Sequence, residues 1–181
     1  MHHALLLSSL LDLISSISEL CDGFIADRFQ STIFPHITKL FESIVYEMNG
    51  TNKSIKLPKE SYVILEALLK CVRIIFSSNT LQLSPIVPII GSIIIPFLEF
   101  DDDVGNEAME AMKTLLQIDS DSLWRALYKT SGRNVPPRTL FRFQSKANLS
   151  IVPNLDNTKL SSRSRKLLDF IKTLPEQNLL Y

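Results

Sequence analysis

Glycine is scarce in this chain, with 5 in 181 residues, and so are cysteine with 2 and histidine with 3. There is no phosphate-cradling glycine loop and no nucleophile elbow, and there is too little flexible material for a mostly disordered chain. Cys21 and Cys71 both lie within apolar helical patterns, where a small buried thiol is the ordinary expectation; a disulfide framework is not supported, and a reducing compartment is expected. His2 and His3 are adjacent at a terminus, and His36 sits alone on a polar helix face. None stands beside a cysteine or carboxylate cluster, so they read as solvated histidines and not as metal ligands. Net charge is zero, which removes the simplest argument for a nucleic-acid or polyanion binder. No catalytic residue, metal or cofactor is expected.

Long apolar runs are also lacking. The longest, from Pro85 to Phe100, is broken by Pro88, Gly91 and Pro96 and is shorter than the ~20 residues of a membrane span, so it reads as a buried helix. The opening MHHALLLSSLLDLISSISELC has no lysine or arginine leader and is interrupted by Asp12 and Glu19. It reads as a helix in preference to a secretory signal, and no membrane partner is expected.

What the sequence does contain is helical periodicity. From Ile33 to Met48, apolar residues recur at three-and-four spacing, with Ser31 the expected N-cap and Pro35 in the first turn. A helix from Pro58 to Phe76 leaves only Glu66, Lys70 and Arg73 as a polar stripe, which implies contact on several sides. Ser84 is the expected N-cap of the next helix, with Pro85 at its first position, and Pro96 should bend that helix. Asp101, Asp102 and Asp103 fall at the head of another, where carboxylates accept from free backbone N–H groups; the run lacks the alternating spacing of a calcium loop. That helix buries Val104, Ala108, Ala111, Met112, Leu115 and Leu116. Asp119 to Ser122 caps a further helix carrying Leu123, Trp124, Leu127 and Tyr128.

The segment Ser84–Gln117 has the form of one helical hairpin of the HEAT type, in which neither helix can bury its apolar face alone. A weaker echo supports repetition: Pro35, Ile37, Leu40, Phe41 and Ile44 match Pro88, Ile90, Ile93, Ile94 and Phe97 in spacing. The expected fold is an all-α solenoid of HEAT-type antiparallel hairpins over 1–130. An irregular basic linker at 131–160 and a short amphipathic terminal helix and tail at 161–181 follow. Met1 opens straight into a helix with no cap, so the chain is expected to be the C-terminal piece of something longer.

Charge is unevenly spread. Met1 to Trp124 holds 8 Lys and Arg against 16 Asp and Glu, whereas Arg125 to Tyr181 holds 11 against 3. A basic tail lying back on its own acidic stack is the plainer reading, and a tail that seeks nucleic acid is disfavoured. Trp124, Arg125 and Tyr128 are residue types enriched in interface hot spots, although a core aromatic closing the last repeat is the stronger reading of Trp124. Arg163, Arg165 and Lys166 are the remaining candidate partner contacts. They read more simply as a solvated face, with Ser162 and Ser164 as open phosphorylation positions.

Three stretches go beyond the repeat pattern: GFIADRFQSTIFPHI through Phe24, Arg28, Phe34 and Pro35; IDSDSLWRAL through Asp119, Asp121, Ser122 and Trp124, followed by Pro136 and Pro137; and the final RKLLDFIKTL. Together they resemble the C-terminal region of the Tel-two-interacting protein one family, the HEAT-repeat subunit of the triple T co-chaperone complex. Gly105 departs from the pattern, standing where a repeat's second helix usually carries arginine. The resemblance implies a non-catalytic scaffold that binds the other triple T subunits and chaperone machinery and reaches kinases of the phosphatidylinositol-kinase-related class indirectly. It also implies a cytoplasmic protein, with nuclear presence open. Another HEAT adaptor, of transport or phosphatase assemblies, is the alternative with the same fold.

Overall fold

The computed structural model describes residues 2–21, 25–50, 57–130 and 162–174. Their regular structure is entirely helical, as the periodicity predicts, and no strand occurs among the described residues. The principal helices are α1 (His2–Leu20), α2 (Phe34–Gly50), α3 (Lys59–Ser78), α4 (Val87–Ile94), α5 (Asp103–Ile118), α6 (Ser120–Thr130) and α7 (Ser162–Thr173). The expected irregular linker at 131–160 and the tail at 175–181 lie outside the described residues.

Two expected helix starts are corrected. Ser31 is no N-cap, because helical backbone already runs through Ala26–Arg28 and a π-turn, Phe29–Ile33, straight into α2. Its hydroxyl instead donates to the Asp27 carbonyl (2.7 Å). The π-turn follows from Pro35, whose ring has no N–H and would collide with the carbonyl four residues back in a regular helix. Phe34 N–H bonds back to the Phe29 carbonyl, one residue wider than α, and this loosened turn admits the ring. Likewise Ser84 is not a cap but the first residue of a 3-10 turn, Ser84–Ile86, and α4 follows at Val87. At Pro96, where a bend is expected, α4 gives way to a 3-10 segment, Ile95–Glu99, where the missing N–H breaks the α ladder.

The helices form two rows. α3 packs between α1 and α5, and α5 also meets α7; in the other row α4 lies between α2 and α6. Neighbours in sequence touch across the rows: α2 with α3, α4 with α5, α5 with α6, and α6 with α7. A core continuous across both rows explains why α3 has so thin a polar stripe. It buries Leu65, Ala67, Leu68, Leu69, Cys71, Val72, Ile75 and Phe76, while Glu66 and Lys70 remain exposed. The two echoing stretches behave alike. Ile37, Phe41 and Ile44 of α2 are buried as Ile90, Ile94 and Phe97 are, and Leu40 and Ile93 are both half-buried. Phe41 and Phe97 meet directly, with ring centroids 5.6 Å apart.

Close approach is needed where α4 crosses α6. A Cβ at Gly91 would fall 2.0 Å from Leu123 Cδ2, so glycine lets the Leu123 side chain lie against the α4 backbone. Polar groups inside the stack are paired: the buried Asn79 side chain donates to Ser18 Oγ (2.9 Å) and to the Ile75 carbonyl (3.1 Å).

The two cysteines differ from their common expectation. Cys71 is buried in α3, whereas Cys21 lies past the end of α1 and is only half-buried. Burial pushes the Cys71 thiol up to about 11, outweighing the hydrogen bond with Ser15 that pulls it down. Because the folded value lies above the unfolded one, Cys71 contributes stability that is complete below about pH 9 and is lost as pH rises through about 11. At pH 8 a thiol reagent is therefore expected to modify Cys21 in the native protein and Cys71 only after denaturation. Rapid native reaction at both thiols would contradict this placement.

Candidate partner-binding surfaces and the acidic corner

The corner between α4 and α5 is built from the aspartate run. Asp102 caps α5, its Oδ1 accepting from the N–H groups of Val104 (3.0 Å) and Gly105 (3.4 Å). Tyr62 of α3 reaches the same corner, with its ring 6.4 Å from that of Phe100 and its hydroxyl beside Asp102. Desolvation and then the Asp102 carboxylate push the Tyr62 phenol up to about 12, so it stays a neutral donor.

Into this corner comes Arg163 from α7, whose sequence number gives no hint of the contact. Its guanidinium donates to the Phe100 carbonyl, to Asp101 Oδ1 (3.2 Å) and to Asn106 Oδ1 (3.0 Å). Leu167, Leu168 and Ile171 bury the other face of α7 against α5, α6 and the 3-10 segment after α4. Gly105 makes room: a Cβ there would lie 1.8 Å from the Phe100 oxygen and 3.0 Å from Arg163 Cζ. A second cation links the same row, as Arg73 Nε of α3 donates to Glu107 Oε1 of α5 at 2.6 Å.

The candidate contacts therefore separate. Trp124 is 1% exposed and belongs to the core, with Leu123 and Leu127 beside it, so as a surface contact it is corrected. Arg163 is likewise corrected from a free contact to an internal one, since its side chain is engaged by the acidic corner. Arg125, Arg165 and Lys166 are exposed. The side chain of Tyr128 lies outside the described residues, as does that of Lys172 on α7. Among the described residues, no group of three or more His, Cys, Asp or Glu side chains is placed to hold a metal ion.

Two surfaces escape the sequence reading. One is a shallow groove between α2 and α4, lined by Glu42, Val45, Tyr46, Ser92, Ile93 and Pro96. The other is the outer face of α1, where leucines lie open to solvent. Helical periodicity reveals that α1 has apolar stripes but not which one faces out.

Removal of the Arg163 anchor is expected to loosen α7 without unfolding the stack. Arg163→Ala should lower the local stability of α7 by about 1.5–3 kcal/mol, in the range for hydrogen bonds made by a charged group. Amide hydrogen exchange across 162–174 should quicken about tenfold while α3 stays protected. Equal protection in both proteins would show that the apolar face of α7 holds it unaided. Comparison with family models, curated proteins and solved structures finds no match to this chain.

Proposed function

We propose that this protein is a non-catalytic protein-binding scaffold built as a HEAT-type stack of helical hairpins. The observation that carries the reading is the alternation of rows, with α1, α3 and α5 in one and α2, α4 and α6 in the other, while α7 packs against both α5 and α6. A stack of this kind offers partners an extended surface instead of a reactive cleft. The matched burial of the two echoing stretches supports repetition of one unit. The finer reading, the C-terminal part of a Tel-two-interacting protein one subunit, rests on the quoted stretches. Its partners are then the other triple T subunits and chaperone machinery, with kinase clients reached through them.

The test is co-expression of the tagged full chain with the other two triple T subunits, followed by purification on the tag. Stoichiometric recovery of both supports the proposal, and Arg125→Glu with Lys166→Glu, both exposed, should reduce recovery if these residues touch a partner. Absence of both subunits, with transport or phosphatase proteins recovered instead from cells, transfers the chain to another HEAT adaptor. The nucleic-acid reading is weakened because Arg163, one of its three cations, is engaged within the chain. It predicts steeply salt-dependent binding to DNA or RNA.

A further inference from the structure

We infer that seating of α7 and phosphorylation of Ser164 exclude each other, so that α7 is a strap that a serine kinase can lock off the stack. The two serines at the head of α7 look equivalent in sequence, and the structure separates them. Ser162 is exposed at the first residue of the helix, whereas Ser164 is 4% exposed. Ser164, Leu167, Leu168 and Ile171 recur at the three-and-four spacing of one helix face, and all four are buried. Ser164 is thus the polar member of the stripe by which α7 sits on α5, α6 and the 3-10 segment Ile95–Glu99.

A hydroxyl fits in such a stripe and a phosphate does not. Phosphoserine carries about −1.5 to −2 charges at neutral pH and three acceptor oxygens, which would have to leave water for a mostly apolar seat. Arg163, the neighbouring residue, already donates to the Phe100 carbonyl, Asp101 and Asn106, and that corner also holds Asp102 and Asp103, so its field opposes a further anion. Arg165 and Lys166 lie on the exposed side, where they flank Ser164 with positive charge for a kinase whose substrate cleft is acidic. A phosphate on Ser162 is a different case, since it stays in water and meets the positive end of the α7 dipole.

α7 also has the features of an element that can leave its seat. With 12 residues it is of the length at which an isolated helix is marginal in water, so its order depends on the surface beneath it. The link of residues 131–161 is far longer than the ~2–8 residues that usually join packed helices, and the connection to α6 does not by itself hold α7 in place. The reaction is a phosphoryl transfer: Ser164 Oγ attacks the γ-phosphorus of ATP and gives its proton to the base of the kinase, and ADP leaves with the electron pair of the broken P–O bond. Because Ser164 is covered while α7 is seated, transfer follows release, and the product cannot reseat. Release bares the parts of α5, α6 and the 3-10 segment that Leu167, Leu168 and Ile171 cover.

The test is amide hydrogen exchange on the full chain made with phosphoserine at position 164, and separately at position 162, by codon suppression. Phosphoserine at 164 should quicken exchange across 162–174 by about tenfold or more with α3 still protected, and phosphoserine at 162 should leave it within about twofold of the parent. Unchanged protection with phosphoserine at 164 overturns the proposal. So does equal release by either phosphate, or loss of α3 protection together with that of α7, which would mean that α7 is no separable strap. Accessibility is read with the catalytic domain of protein kinase C and ATP. Ile171→Glu, seven residues from the acceptor and buried in the parent, frees α7 without touching the basic flank. Ser164 should be phosphorylated about tenfold faster or more in that chain than in the parent. Equal rates, or no phosphate on Ser164 of the Ile171→Glu chain, overturn the proposal. It stands independently of the triple T reading.

Discussion

Trp124→Ala is expected to lower stability by about 3–5 kcal/mol, the range for truncating a buried large aromatic side chain. Trp124 is the largest fully buried side chain of the core. It sits on α6, which joins α4 in one row and touches α5 and α7 across it. A void there lies on a helix that packs against three others, and Leu123 and Leu127 beside it are themselves buried. Against a total of about 5–15 kcal/mol for an ordinary domain, such a loss is about a fifth of the whole or more. Urea unfolding is the measurement, with a lower midpoint at an unchanged slope. Arg125→Ala, one residue away and exposed, should stay within about 0.5 kcal/mol of the parent. A Trp124→Ala protein that melts like the parent but loses its partners would restore the surface reading of this residue.

How far the sequence reaches can be judged residue by residue. The helices of the stack were legible because burial on one side imposes three-and-four spacing, and the burial of Val104, Ala108, Ala111, Met112, Leu115 and Leu116 follows that pattern. Capping by Asp102 and Asp119 was legible because a carboxylate at a helix head has one short-range use. Ser31 and Ser84 misled because each precedes a proline by one to four residues, and a proline can equally mark a start or a locally widened or tightened turn. Here Phe29–Ile33 widens and Ser84–Ile86 tightens. Arg163 could not be placed from sequence, since its partners lie 57 to 63 positions away. Only the charge imbalance hinted that the basic end lies back on the acidic one. The more apolar stripe of α1, with Leu6, Leu10, Leu13, Ile17 and Leu20, is the exposed one, and the buried one holds Ala4, Leu11, Ser15 and Ser18, so composition points to the wrong side and packing against α3 decides.

Gly105→Ala is expected to destabilise the protein by about 2 kcal/mol or more, opposite in sign to the gain of about 1 kcal/mol usual for alanine over glycine inside a helix. The reason is local. The new methyl group would meet the Phe100 oxygen at 1.8 Å and the Phe100 carbonyl carbon at 2.8 Å, and backbone cannot swing aside as a side chain can. That same oxygen accepts from Arg163, whose guanidinium carbon lies 3.0 Å from the missing Cβ. An arginine from α7 thus occupies the space beside Gly105, and the glycine is what admits it. Displacing the Phe100 carbonyl should therefore also release α7, and exchange across 162–174 should quicken as it does for Arg163→Ala. In a double-mutant cycle, Arg163→Ala should cost less in the Gly105→Ala background than alone, because the anchor is already broken. Additive losses would separate the glycine from the anchor. A stabilised Gly105→Ala protein would mean that the Phe100 carbonyl does not lie over α5 as described.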